Sequence, residues 1–562
     1  MKTAANPKPS QEKLKPKLFS VMKNYSASQL GKDIVAGIIV AIIALPLSIA
    51  LALASGVEPE QGIYTAIIAG FLISFFGGSR VQIAGPTAAF ATIVAGIVAT
   101  DGMEGLAVAT IIAGILLILM GVFRLGSLIR FIPYTITTGF TAGIAVTILI
   151  GQIKDFLGLT FPAGTVTIET TDKLKAIAAN ISTVNVQALI VGIVCLAVLI
   201  IWPFINKTIP GSLIAVLVGI FMVKLLKMNV NTIGDLYTIS NSLPVFKLPA
   251  FSLATVRNEL GNGFTIAILA AIESLLSAVV ADSMINSKHR SNMELVAQGI
   301  GNIGSALFGG IPATGAIART AANVKNGGRT PIAGMVHSIV LVIVLIVLMP
   351  YAAYIPMPTI AAILFIVAYN MCGWRNFVNL CRKAPKSDIL VLVLTFVLTV
   401  VFDLVVAIAV GMVVACVLFM KRMSEEAEIH GWKYALDESD NDPAALELRT
   451  VPHEVRVYEI TGPMFFGVAN LISGITVKDF TKVLIIRMRG VPAIDATAMQ
   501  SLESLVDKCK EQDVAVVFSH VNDQPRHVME KDGLVAKVGA ENFCPHIDAA
   551  LARAEEILSS HE

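Results

Sequence analysis

The chain has 562 residues, of which 55% are hydrophobic and only 15% charged, against about 25% charged in a soluble globular domain. Its formal net charge is +2, and the basic clusters flank apolar runs, so nothing points to nucleic acid as a partner. Its cysteines (Cys195, Cys372, Cys381, Cys416, Cys509, Cys544) lack CxxC or metal-ligand spacing, which leaves no metal site, disulfide framework or cofactor to expect.

Residues 1–32 carry Lys2, Lys8, Lys13, Lys15, Lys17, Lys23 and Lys32 without an early apolar stretch. That is a basic cytoplasmic tail rather than a cleaved signal peptide. A membrane domain is expected over 33–420, with apolar spans at 34–54, 62–76, 86–100, 105–123, 132–152, 186–204, 209–226, 261–281, 293–308, 314–325, 331–350, 357–371, 387–402 and 404–420. Several are too short to cross a hydrocarbon core of about 30 Å at about 1.5 Å per residue. Such segments must lie among other helices, because broken backbone is tolerated only inside protein or beside a water-filled cavity.

Two of these spans are interrupted: Gly77-Gly78-Ser79-Arg80 through Gly85-Pro86-Thr87, and Gly309-Gly310-Ile311-Pro312 through Ala318-Arg319. They occupy matching places in the two halves of the membrane domain. Paired Gly/Pro-broken spans of this kind point to the midplane binding site of a transporter. A helix starting after Gly85, with Pro86 in its first turn, would aim free N–H groups and its positive dipole end at an anion. Arg319 lies in the short helix of the second break, where a guanidinium in lipid would cost about 2.5–3.5 kcal/mol. It must face a cavity, a partner or the cytoplasmic surface.

Glu273 lies mid-span, with Ser274 and Ser277 beside it. A carboxylate there is a functional-site hypothesis, with three roles open: proton carrier, sodium ligand with Ser277, or structural partner of Arg319. Asp282 is expected to pair with Lys288 or Arg290, His337 to be a packed neutral histidine, and Asp403 to be a turn residue. Lys288-His289-Arg290 is read as topological, with anionic-lipid contact in addition.

Lys and Arg fall mainly in alternate loops, on the side of the N-terminus and of Lys421-Arg422; Lys224 and Lys227 dissent. An even number of spans with both termini cytoplasmic, in a cytoplasmic membrane, satisfies this bias. From Lys421 the chain turns polar: a linker at 421–450, with an acidic loop at 437–442, precedes a soluble domain at 451–562. That domain alternates β-branched runs (Val455–Ile460, Val483–Met488, Val514–Ser519) with helical periodicity (Ala498–Glu511, Ala549–Leu558), reading as α/β.

Several ordered motifs resemble the SulP anion-transporter family. They are Gly37 with Pro46; Pro59, Gly62 and Tyr64; Gly77-Gly78-Ser79-Arg80 with Gly85-Pro86-Thr87-Ala88; and Ala271-Ile272-Glu273-Ser274-Leu275-Leu276. Gly490 to Ala498 resembles the phosphoacceptor-loop region of a STAS domain, the regulatory module of such transporters. The resemblance covers roughly 30–558 and implies two inverted repeats of seven spans, split into core and gate. It further implies a substrate site between the half-helices of the third and tenth spans, and a homodimer. The anion would be held by Gly85, Pro86, Thr87, Ala88 and Ala89 and by Gly315, Ala316 and Ile317, with Arg319 supplying positive potential. Glu273, with Ser277 nearby, would take the coupling ion, a proton in preference to sodium. Glu273–Ser277, Lys288–Arg290, Gly309–Val324 and Met371–Asp388 look most like the bacterial aerobic dicarboxylate branch. Succinate or fumarate is therefore the first expected substrate, and sulfate or bicarbonate, driven by sodium or protons, the alternative. In the tail, Thr497 would be the phosphorylatable hydroxyl and Asp495 its neighbour or simply a helix cap, with an unknown cytoplasmic protein as partner. Two rival readings are a passive channel-like conductor and a membrane-anchored scaffold acting through the tail. No covalent chemistry is implied, so an enzyme is not expected.

Overall fold

The structure is a computed structural model that describes residues 14–162, 165, 169–206, 209–402, 404–431, 451–475 and 480–560. Asp403 and the acidic stretch 437–442 lie outside the described residues. The chain forms two compact units, Met1–Met412 and Val413–Glu562.

The first half of unit 1 runs α1 (Lys17–Val21), α2 (Ala27–Ala54), α3 (Pro59–Phe76), β1 (Ala84–Gly85), α4 (Ala91–Val122), α5 (Tyr134–Leu157), α6 (Thr170–Ala179), α7 (Val186–Ile205), α8 (Gly211–Leu225) and α9 (Ile233–Leu236). The second half holds α10 (Leu253–Ile285), α11 (Ser291–Leu307), β2 (Thr314–Gly315), α12 (Ile317–Lys325), α13 (Ile332–Ala352), α14 (Met357–Cys372), α15 (Trp374–Lys383) and α16 (Lys386–Val401). The last span, α17 (Leu404–Glu425), crosses into unit 2.

Among the described residues, nine helices are long and apolar enough to cross a membrane. One of them, α4, counts twice, because Gly102 (φ 67°) breaks its helical backbone. With the shorter α8, α11, α12 and α16 this makes the fourteen spans expected. Their ends follow local chemistry. Glu58 and Gln61 form a capping box at the start of α3, with Pro59 in its first turn. Ser252 caps α10, which ends on left-handed Asn286.

The spans pack as two groups. In one, α3 and α4 lie against α11, α4 against α10, and α13 against α2 and α3. In the other, α5 packs on α14 and α16, and α7 on α8 and α14. The first group is a close-approach core: a Cβ on Gly114 of α4 would come 2.7 Å from the carbonyl oxygen of Gly299 on α11. Only glycine lets these two backbones meet.

Unit 2 carries a five-stranded sheet in the order β3 (Glu428–Gly431), β4 (Val455–Thr461), β5 (Val483–Gly490), β6 (Ala515–Ser519), β7 (Phe543–Cys544). The first pair is antiparallel and the rest parallel. Its helices are α18 (Ala469–Ser473), α19 (Ala496–Glu511), α20 (Asp523–Asp532), α21 (Leu534–Val538) and α22 (Ile547–Ser560). Alternate strand residues feed two cores. Leu484, Ile486 and Phe518 pack with Leu502 and Met529, while Ile485 and Val517 pack with Ala550 and Ala554. The expected α/β pattern is present, with edge strands β3 and β7 added.

Candidate functional site

The two broken segments meet. β1 and β2 pair antiparallel, Ala84 with Gly315 and Gly85 with Thr314, and the Ala316 N–H donates to the Ile83 carbonyl at 2.9 Å. Irregular backbone inside a membrane domain needs internal partners, and side chains supply them. Glu294 accepts from the Gly78 and Ser79 N–H groups at 2.8 and 2.9 Å. Thr320 accepts from Ile83 N–H at 3.0 Å, and Asn323 donates to the Val81 carbonyl at 2.8 Å. On the second segment, Asn302 binds both the N–H and the carbonyl of Ala313, and Thr65 accepts from Ile311 N–H at 2.7 Å.

Each strand leads into a half-helix. Thr87 is extended (φ −127°, ψ 157°), Ala88–Phe90 form one 3-10 turn, and α4 follows. Pro86 therefore precedes the helix rather than occupying its first turn, because strand pairing holds the chain extended to this point. On the other side, extended Ala316 starts α12 without a side-chain cap. The first-turn N–H groups of such an end have no helical acceptor. Ile317 there is 41% exposed.

Arg319 is 1% exposed. Its Nη2 donates to Ser48 Oγ at 3.3 Å and to the Pro86 carbonyl at 3.2 Å. Its Nε and Nη1 find no acceptor, and a Cβ on Gly85 would strike Nη1. Among the described residues no carboxylate pairs with it. Glu273, half-buried, instead accepts from Thr87 Oγ1 at 2.9 Å, so the structure does not join Glu273 to Arg319. Ser277 is turned to Thr320, Oγ to Oγ1 at 3.5 Å. A cleft of about 960 Å³ lies in unit 2, lined by His520, Asn522 and Arg526 among others, remote in sequence from these residues. In unit 1, a cleft of about 690 Å³ separates Thr92, Thr100 and Asn262 of α4 and α10 from Thr147 and Thr399 of α5 and α16. A smaller apolar crevice of about 290 Å³ lies between Ile272 on α10 and Ile408 and Met412 on α17. The larger of the two follows the seam between the helix groups, with Thr92 two residues from Phe90, and the crevice has Ile272 next to Glu273 in sequence.

Other expectations fall differently. Asp282 holds His289, Oδ2 lying 2.7 Å from both its Nδ1 and its N–H, rather than Lys288 or Arg290. Arg290 reaches the Lys15 carbonyl at 2.7 Å and Ser20 Oγ at 3.0 Å, tying the N-terminal segment to the bundle. Asp495 caps α19, accepting from Ala498 N–H at 2.8 Å and also from Phe466 N–H at 2.9 Å, and Thr497 beside it is exposed. Among the described residues no cluster could hold a metal ion. Ser48, Asn302 and Glu294 were not singled out by sequence. The signal available for Glu294 was a charge in an apolar run; Ser48 and Asn302 are uncharged and carry no such signal.

Known proteins show the same organisation. The Sulfate permease family pattern matches residues 30–395 and the STAS domain pattern residues 447–550. A Bacillus subtilis protein named "Putative sulfate transporter YvdB" is 40% identical, over 94% of this chain and 98% of its own. The Bicarbonate transporter BicA of a Picosynechococcus strain is 31% identical, over 93% and 94%. Among solved structures, murine Slc26a9 in the inward-facing state superposes with a TM-score of 0.87 at 18% identity, covering 99% of this chain and 96% of that one. The transmembrane domain of a cyanobacterial BicA gives 0.62 at 28% identity, over 70% and 98%.

Proposed function

The chain belongs to the sulfate permease family, and on that premise we propose that it is a secondary active carrier of a small oxyanion, working by alternating access. Its relatives are transporters rather than enzymes, and with its fourteen spans it is a multi-pass membrane protein. The observation that carries the proposal is Arg319: a buried guanidinium with two unpartnered N–H-bearing nitrogens and, among the described residues, no carboxylate partner, beside two half-helix N-termini. Such a charge needs a counter-ion, and the transported anion is the one proposed. Thr87–Ala89 and Gly315–Ile317 would cradle it with helix-end N–H groups and dipoles. The cleft between Thr92, Thr100 and Asn262 on one side and Thr147 and Thr399 on the other supports rocking of the α2–α4, α10–α13 group against the α5, α7, α8, α14, α16 group.

The relatives' names favour sulfate or bicarbonate over the four-carbon dicarboxylates expected from the branch resemblance. Glu273 is proposed as the coupling-ion carrier, a proton in preference to sodium. Its bond to Thr87 supports a link between proton loading and the mouth of the α4 half-helix. Ser277, engaged by Thr320, gives sodium coordination no added support. Cytoplasmic termini, a homodimer and a regulatory role for Thr497 with a cytoplasmic partner complete the proposal.

The test is counterflow and uptake in proteoliposomes, with labelled sulfate, bicarbonate and succinate, under imposed proton or sodium gradients. Saturable, gradient-driven sulfate or bicarbonate uptake supports the proposal. Succinate uptake alone would return the substrate to the dicarboxylates, and unsaturable flux would make the protein a channel.

A further inference from the structure

The helix α15 (Trp374–Lys383) has no part in the transport reading. It is set apart from its neighbours: α14 ends on left-handed Gly373 (φ 54°), and extended Ala384 with Pro385 precedes α16. Its residues divide into two faces. Phe377, Val378, Leu380 and Cys381 are half-buried, and the Phe377 ring packs 5.3 Å from that of Phe396 on α16. Arg375, Arg382 and Lys383 are exposed, as is Lys386 at the start of α16, and among the described residues none of the four has an ion-pair partner. Asp388, the nearest acid in sequence, is half-buried and accepts from Ser387 Oγ at 3.2 Å. Trp374 is exposed, and its Nε1 donates to the exposed Tyr369 hydroxyl at 3.2 Å. Asn376 donates to the hydroxyl of exposed Tyr134 at 2.6 Å. Directly beyond, Leu390, Val393 and Val397 expose an apolar stripe along α16, at the spacing of one helix face.

We propose that α15 is a docking surface for anionic phospholipid headgroups, seated where the apolar stripe of α16 meets water. Trp and Tyr collect at headgroup level, and a helix with one apolar and one cationic face lies in that layer. Unpaired Arg and Lys beside an acyl-facing stripe supply the charge complement of a phosphodiester, and the two guanidiniums offer it forked donors. An acidic soluble protein would meet the same cations, but the Trp374–Tyr369 pair and the continuous apolar stripe fit lipid. Because α15 packs on α5 and α16, bound lipid would hold that helix group at the membrane surface.

The chain has three tryptophans, Trp202, Trp374 and Trp432, so Trp202→Phe with Trp432→Phe leaves Trp374 as the sole indole. The full chain would be placed in liposomes of phosphatidylcholine and phosphatidylglycerol in one fixed proportion, with a brominated acyl chain on either lipid in turn. Per labelled lipid, brominated phosphatidylglycerol should quench Trp374 at least about fivefold more than brominated phosphatidylcholine, the weight of one basic residue near an anionic surface. That ratio should fall towards one in the triple variant Arg375→Gln, Arg382→Gln, Lys383→Gln, with melting in detergent as the fold control. It should persist in Arg375→Lys, Arg382→Lys, Lys383→Arg. If the glutamine variant does not fold, salt decides: raising it from about 0.1 M to about 1 M shortens the screening length from about 10 Å to about 3 Å and should lower the ratio. Equal quenching by the two labels, or a ratio indifferent to charge removal or to salt, would overturn the proposal. Quenching by neither label would mean that protein covers α15, and would overturn it as well.

Discussion

Replacing Arg319 with glutamine should weaken anion binding strongly while leaving the fold intact. A unit charge about 4 Å from a guanidinium is worth about 4 kcal/mol at an effective dielectric of about 20. A lost hydrogen bond to a charged group alone is worth about 1.5–3 kcal/mol. At about 1.4 kcal/mol per factor of ten, KM for the transported anion should rise between about 10- and 1,000-fold. Stability should move the other way. The guanidinium is 1% exposed and, among the described residues, holds only Ser48 and the Pro86 carbonyl and leaves two nitrogens unsatisfied. Removing it relieves a buried unpaired charge, so the melting temperature in detergent should stay level or increase. Had Arg319 been half of a buried ion pair, the same change would cost about 3–5 kcal/mol. Labelled-anion uptake against concentration, with thermal unfolding on the same preparations, measures both. A KM within twofold of wild type, or a clear drop in melting temperature, would refute the reasoning.

Three further outcomes are expected. Glu273→Gln should abolish stimulation of uptake by an inward proton gradient while counterflow persists, since the amide still accepts from Thr87; undiminished stimulation would remove Glu273 from coupling. Gly85→Ala would push a methyl group into Arg319 Nη1. At overpacking costs of about 1–3 kcal/mol, KM should rise about 5- to 100-fold, and a wild-type KM would show that the guanidinium has room to move. In unit 2, ion pairs with Asp507 at 2.6 Å and Glu503 at 2.9 Å hold the Lys537 ammonium above its usual range. Its stabilisation is present below the unfolded value of about 10.4 and lost as pH rises through the raised one. Lys537→Gln should therefore melt lower than wild type at pH 8 and converge with it at strongly alkaline pH, which thermal unfolding across that range checks.

Much of this was legible before any coordinates, for reasons that can be named. Gly85-Pro86 and Gly310-Ile311-Pro312 broke apolar runs at matching places, and those breaks became β1 and β2 and the half-helix starts. The pairing itself was not legible: two-residue strands 230 residues apart leave no periodicity to read. For the same reason Pro86 was set one step too deep in the helix. Asp282 was assigned to the nearest full charges, yet the turn after Asn286 (φ 48°) brings His289 back onto it instead. Glu294 on the buried side of α11 carried a signal in its charge, but the main-chain N–H groups of Gly78 and Ser79 that it accepts from are partners no residue type reveals.

The central claim is that the transported anion sits at the half-helix ends with Arg319 as its counter-charge. Ile317, exposed in the first turn of α12, is the place to ask. In a background with the native cysteines replaced, Ile317→Cys would be labelled with a charged maleimide in proteoliposomes, with and without saturating transported anion. The anion should slow labelling, and adding Arg319→Gln should abolish that protection. Labelling that ignores the anion while Arg319 is intact and uptake is saturable, or protection that survives Arg319→Gln, would contradict the account.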